Sequence, residues 1–204
     1  PACPHYGTCG GCALQHLAPA AQLAFKQAQL LENLARLGGV EPARVIEPLT
    51  GPVWGYRRRA RLGVKHVARK GRVLVGFRER AAPFVADLHE CRVLAPPADR
   101  LIDPLAALVG ELSIGARVPQ VEVAVAGSEC ALVLRVLDSP TAADLDRLRN
   151  FEQAQGVRVY LQPGGPATVA PLTPNLTPLR YELGRFGLVI EFEPTDFIQV
   201  NATL

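Results

Sequence analysis

The stretch Gln120–Val136, "QVEVAVAGSECALVLRV", decides the fold. Two runs rich in Val, Ala and Leu flank Gly127-Ser128, a turn-forming pair, and this pattern predicts a β-hairpin. Cys130 lies inside the second run and reads as an inert core residue. Upstream, "WGYRRRARLGVKHV" (54–67) and "RVLVGFRER" (72–80) flank "ARKG" and predict a second hairpin. Downstream, "SPTAADLDRLRNFEQAQG" (139–156) reads as a helix, with Ser139 as cap, Pro140 in the first turn and Gly156 as stop. The strand "VRVYLQP" follows it. Further helices are expected over 18–39, where Leu23, Gln27, Leu30, Leu31, Leu34 and Leu37 fall near helical spacing, and over 97–112. A short strand is expected over 43–49, a long loop over 163–180, and strand character in 181–200. Hairpins with helices between them, and no strict βα alternation, give an α+β class with a mostly antiparallel sheet and flanking helices.

At 204 residues, with 49% apolar and 20% charged side chains, the chain can bury one large core or two small ones. No apolar run approaches membrane-span length and no signal-peptide pattern opens the chain, so a cytoplasmic protein without a membrane partner is expected. With no methionine anywhere and Pro1 first, residue 1 is not expected to be the translation start. A net charge of +3 hides an asymmetry. Residues 1–92 hold 14 Lys/Arg against 6 Asp/Glu, net +8, whereas residues 93–204 hold 8 against 13, net −5. A basic front half suits a polyanion such as nucleic acid; uneven solvated charge accounts for it as well.

Three thiols crowd the opening "PACPHYGTCGGCALQH": Cys3, Cys9 and Cys12, in a C-x5-C-x2-C pattern. Cys91, in "DLHECRVLAPP", follows after 78 intervening residues. Disulfides would suit a small secreted chain, and a thioredoxin-type pair leaves the third thiol without a role. Zinc favours two paired knuckles, while three local thiolates and one distant one often hold a [4Fe–4S] cluster. The residues alone leave zinc and cluster equally open, with His5, His16 and His89 as substitute ligands.

The second chemical signal is "YRRRARLGVKHVARKGR". Eight cations in residues 57–72, including Arg57, Arg58, Arg59, Arg61 and Lys65, stand without one acid. In a strand, Arg57, Arg59, Arg61 and Lys65 share one face, spaced about 7 Å apart, close to phosphate spacing. Arg58, Ala60, Leu62 and Val64 fall on the other face. This is a candidate nucleic-acid contact, weighed against an edge strand protected by charge. Trp54 and Tyr56 could stack on a base but more often serve a core.

Taken together, "CPHYGTCGGCALQH", "GYRRRARLGVK", "VGFRER", "HECRVL" and "DFIQVN", in that order, resemble bacterial 23S ribosomal RNA (uracil-C5)-methyltransferases of the [4Fe–4S] 5-methyluridine family. The "HYGTCGGC" form is similar to the branch acting on the uridine at position 1939. The resemblance implies an S-adenosylmethionine-dependent enzyme, with a [4Fe–4S] cluster on Cys3, Cys9, Cys12 and Cys91 that is structural and RNA-facing. It implies that Gln199 meets S-adenosylmethionine and the target base, that Phe197 helps hold the flipped base, and that Asn201 caps a following helix. Its chemistry is thiolate addition at uracil C6, methyl transfer to C5 and loss of the C5 proton, with the base taken out of its stack. Family members carry a small barrel before the cluster loop and a Rossmann-like catalytic domain after "FIQVN", so a middle portion is expected here, without the catalytic nucleophile or base. The expected parts are 1–95 (cluster loop, helix and basic hairpin, facing RNA), 96–195 (central α+β) and 196–204 (start of the methyltransferase domain). Expected partners are 23S ribosomal RNA and S-adenosylmethionine, with no obligate protein partner evident. A metal-stabilised RNA-binding module without catalysis is the alternative.

Overall fold

The structure, a computed structural model, describes residues 1–203. Its regular elements, in chain order, are α1 (Pro19–Arg36), β1 (Arg59–Val67), β2 (Arg72–Gly76), α2 (Ile102–Glu111), β3 (Gln120–Ala126), β4 (Glu129–Arg135), α3 (Ala142–Gln155), β5 (Arg158–Gln162), β6 (Ala170–Pro171), β7 (Leu179–Leu183) and β8 (Leu188–Phe192). The hairpin expected at Gly127 is β3–β4, at the centre of a six-stranded sheet of order β2-β1-β3-β4-β5-β6. Only β4 and β5 run parallel, joined by the α3 crossover; the other neighbours are antiparallel. β7 and β8 form a separate antiparallel pair.

The alternation of β3 and β4 explains why both read as continuous apolar runs. Val121, Val123, Val125, Cys130, Leu132 and Leu134 enter the main core, shared with Leu105, Val109 and Leu148 of the helices. Ala124, Ala126, Ala131 and Val133 point the other way, into a smaller core closed by Leu179, Phe192 and Ile198. Both faces of the central hairpin are therefore covered. Cys130 is fully buried, and burial pushes its thiol up to about 12.

The basic hairpin joins this same sheet. β1 lies between β2 and β3, with Arg59 opposite Ala124 and Gly63 opposite Gln120. The boundary expected at 95–96 therefore does not divide the sheet: hairpin β1–β2 needs β3 as its inner neighbour to bury Leu62 and Val64. Two facing glycines, Gly63 and Gly76, let residues 85–88 lie directly on the hairpin. A Cβ on Gly76 would stand 2.7 Å from a Leu88 methyl, and one on Gly63 2.9 Å from a Val85 methyl.

Three local expectations shift. Helix α3 starts after Thr141, not Ser139, because Thr141 accepts from the Asp144 N–H while Asp144 accepts from the Thr141 N–H, a reciprocal cap. Residues 43–49 form no strand; Val45, Ile46 and Leu49 are exposed and find no pairing edge. The final stretch 193–200 is irregular as well. Helix α1 forms as expected, but none of its residues is buried.

Candidate functional site

Cys3, Cys9, Cys12 and Cys91 line one cavity, together with His5, Tyr6, Gln15, Trp54, Phe77 and Arg92. Two segments build it. The first is a loop whose turns are closed by Tyr6 N–H to the Cys3 carbonyl (3.2 Å) and Cys9 N–H to the His5 carbonyl (2.9 Å). The loop docks on the chain just after β2: Gly10 donates to the Arg78 carbonyl at 2.8 Å and Arg80 to the Thr8 carbonyl at 2.9 Å. The approach is close enough that a Cβ on Gly10 would meet the Arg78 oxygen at 2.9 Å. Alanine there would push the loop off its seat.

The second segment carries Cys91. Its N–H donates to the Asp99 carbonyl (3.0 Å), and the residues after it run alongside the head of the basic strand. Gly55 donates to the Arg92 carbonyl (2.8 Å), Arg57 to the Val93 carbonyl (2.8 Å), and Ala95 to the Arg57 carbonyl (2.9 Å). This ladder brings a residue 79 positions beyond the loop's last thiol to the same cavity.

All five cysteines are free thiols. Burial pushes the Cys91 thiol up to about 11, against hydrogen bonds from the Val93 and Leu94 N–H groups. Burial also raises Cys9, against the Gly11 N–H that points at its sulfur from 3.4 Å, with Cys12 and Cys3 adding to the rise. The Gln15 side-chain oxygen is buried without a partner at this cavity. Among the described residues, no three His, Cys, Asp or Glu groups are placed to hold a single metal ion. His5 and His89 instead touch each other, the His89 N–H donating to His5 Nε2 at 3.3 Å, and His89 also pairs with Asp103 at 3.0 Å. His16 pairs with the Tyr6 hydroxyl at 2.6 Å.

The basic stripe divides into structural and exposed members. Ala60, Leu62 and Val64 face the core as alternation requires, and Arg61 and Lys65 face solvent. Arg58 precedes β1 and continues the inward-facing alternation as a charged residue. It is only 8% exposed, donates through Nε to the Gln199 carbonyl at 2.7 Å, and stacks on the Tyr181 ring at 4.5 Å. Burial lowers its pKa, and Tyr181 partly restores it. Arg59 donates to the Pro194 and Thr195 carbonyls and lies 3.6 Å from Glu122. Arg61, directly opposite Glu122 on β3, pairs with it at 3.0 Å while staying largely exposed. Arg57 lies over the Phe77 ring, 5.3 Å from its centroid, and donates to the Arg59 carbonyl at 3.0 Å. The row expected to face solvent is therefore not evenly free: Arg61 and Lys65 do so, while Arg59, within the row, and Arg58, on the face expected opposite it, hold the chain together.

What they hold is the segment 193–201. Arg58 N–H donates to the Val200 carbonyl (2.9 Å), and Ile198 is buried, so Phe197 and Gln199 on either side of it turn outward. Phe197 is 84% exposed. Asn201 accepts from the Thr203 N–H at 3.0 Å and its hydroxyl at 2.8 Å, a local Asx turn. The head of the basic strand therefore has the Cys91 segment on one side and Asn201 on the other. Spacing alone gave no hint of the carbonyls that occupy Arg58 and Arg59, because those acceptors lie some 135 residues away.

No family model matches the chain. Against curated proteins, it is 52% identical over 201 residues to the 23S rRNA (uracil(1939)-C(5))-methyltransferase RlmD of Cupriavidus necator, covering 98% of this chain and 46% of that protein. The protein of the same name from Alkalilimnicola ehrlichii is 52% identical over 205 residues, 100% of this chain and 46% of its own. That of Bordetella pertussis is 50% identical over 202 residues, covering 98% and 43%. The chain spans less than half the length of the curated relatives it matches. Half of all positions identical along essentially the whole chain places it in the family of bacterial 23S rRNA (uracil-C5)-methyltransferases.

Proposed function

We propose that the whole protein transfers a methyl group from S-adenosylmethionine to C5 of a uracil in 23S ribosomal RNA, and that this chain supplies a cluster site and part of the RNA-facing surface. The observation that carries the reading is the convergence of four thiols, from two distant segments, beside an arginine-rich strand head. The chemistry of the donor set fits an iron–sulfur cluster. In a [4Fe–4S] cubane each of four thiolates holds a different iron, and Cys3, Cys9, Cys12 and Cys91 around one cavity supply four thiols. The buried side-chain oxygen of Gln15, without a partner among the described residues, lies at the same cavity.

Cys3, Cys9, Cys12 and Cys91 would hold the cluster, which when bound supplies a covalent clamp between the loop and the strand head. The chain's own residues do the rest. Phe77 connects the loop to Arg57, and Arg58 and Arg59 fix the 193–201 segment, from which Phe197 and Gln199 reach out toward the cofactor and target base. Arg61 and Lys65 offer charge to phosphates. Residues 196–204 would open the methyltransferase domain, and residues 1–95 would face RNA.

The test is transfer of labelled methyl from S-adenosylmethionine to 23S ribosomal RNA by the full-length protein, with the product digested to nucleosides. Labelled 5-methyluridine is expected. Tight RNA binding with no methyl transfer would instead identify a non-catalytic RNA-binding module.

A further inference from the structure

An open groove runs along the end of β1, lined by Lys65, His66, Arg69, Arg78 and Phe84 on one side and by Gly115, Ala116, Val118 and Pro119 on the other. The sheet itself creates it. On the β3 side of β1 the last rung is the Val64 N–H to the Pro119 carbonyl, at 2.9 Å. Backbone alternation turns the N–H and C=O of His66 to that same side. There the chain before β3 has already bent into the 3₁₀ turn Gly115–Arg117. Neither group of His66 meets a backbone partner among the described residues.

The charges around this open edge are positive and uncommitted. Lys65 and Arg69 make no ion pair among the described residues, and both are exposed. Arg78 is held only by a carbonyl, donating from Nη1 to Pro83 at 2.6 Å. Of the two acids that line the groove, Asp87 is already taken by Lys70 and Arg72, which leaves Glu79. Beside the cations stands Phe84, 65% exposed on a segment otherwise pinned down, since Glu79 donates to its carbonyl and Ala86 to that of Phe77, each at 2.9 Å. A rigidly mounted, uncovered aromatic ring among unpaired cations, next to free backbone donors and acceptors, is the chemistry that reads an unpaired nucleotide. A duplex would offer that ring no base face.

We propose that this groove binds a single-stranded segment of the RNA, one base stacked on Phe84, phosphates on Lys65, Arg69 and Arg78, and a base edge on the open backbone of His66. The proposal rests on the reading that the protein works on RNA, and it places a second contact region beside the seat of the cysteine loop, whose Gly10 pairs with the Arg78 backbone.

The experiment measures equilibrium binding of the full-length protein to a 23S-derived hairpin with single-stranded flanks, and to the same hairpin with its flanks paired to a complementary strand. Phe84→Ala is expected to weaken binding of the first RNA roughly ten- to a hundredfold and to leave the second unchanged. Arg69→Gln and Arg78→Gln should each lower the salt slope for the flanked RNA by about 0.7, an independent readout if the Phe84 variant folds poorly. Equal losses on both RNAs, or none on either, would overturn the groove. Wild-type protein that binds polyglutamate as tightly as RNA would instead overturn the RNA reading itself, and that result is distinct from wild-type protein and variants binding RNA alike.

Discussion

Arg58 and Arg61 stand three residues apart in one basic run, yet the fold uses them in opposite ways. Arg58 is buried, donates to the Gln199 carbonyl and stacks on Tyr181, whose ring in turn meets Phe192 edge-on at 5.7 Å. Replacing it with alanine removes a charge-assisted hydrogen bond, a cation–π contact and the packing of a buried side chain, so Arg58→Ala should cost about 2–4 kcal/mol. Arg61→Ala removes one largely exposed ion pair and should cost under about 1 kcal/mol. Urea unfolding of the two variants checks this, and RNA binding against salt should give the reverse order: a shallower slope for Arg61→Ala and no slope change for Arg58→Ala where it remains folded. Equal losses of stability would show that Arg58 is a surface residue. The run's composition made it legible as a candidate RNA contact; which members are free depends on acceptors supplied by residues 193–200, and no local pattern encodes those.

At the scale of elements, what was legible followed periodicity and turn chemistry. The β3–β4 hairpin, the β1–β2 hairpin and α1 all lie where alternation, glycine punctuation or helical spacing put them. The strand expected over 43–49 did not form, since β-branched residues make a strand only where an edge accepts them. α3 shows how a cap can be misread by two residues when Ser139 and Thr141 are both competent. Asp144 settles that choice, because it also accepts from the Ser113 N–H at 2.7 Å and the Ser113 hydroxyl at 2.6 Å, joining α3 to the end of α2. Burial by itself raises this carboxyl, but the bonds from Ser113 and Thr141 outweigh it and hold it well below the usual carboxylate range. A carboxyl whose pKa falls on folding stabilises the fold above its unfolded pKa of about 3.9 and loses that contribution as pH drops toward the folded value. Asp144→Ala should therefore cost about 1–3 kcal/mol near neutral pH, and the gap to wild type should narrow between about pH 4 and pH 2. A gap that stays constant across that range, in denaturant unfolding at each pH, would mean the carboxylate charge is not what matters.

Across the whole molecule, the four cysteines were visible as a group in the sequence, but their geometry was not. Their meeting depends on two backbone ladders: Gly10 and Arg80 seat the loop on the chain after β2, and residues 91–95 run beside residues 55–57. The sheet then extends the connection from the cysteine cavity, through Phe77 and Arg57, to the segment bearing Phe197 and Gln199. A clamp at the cavity would stabilise this path from one end. Helix α1 half-buries Leu23, Leu31 and Leu34 and leaves Phe25 and Leu30 exposed. The most direct test of the clamp is the iron, acid-labile sulfide and zinc content of full-length protein purified without oxygen, beside its Cys91→Ser variant. The account requires about four iron and four sulfide per chain in the wild type, with both largely lost and the protein less stable in the variant. Stoichiometric zinc, or a Cys91→Ser protein as stable and as iron-rich as its parent, would contradict it.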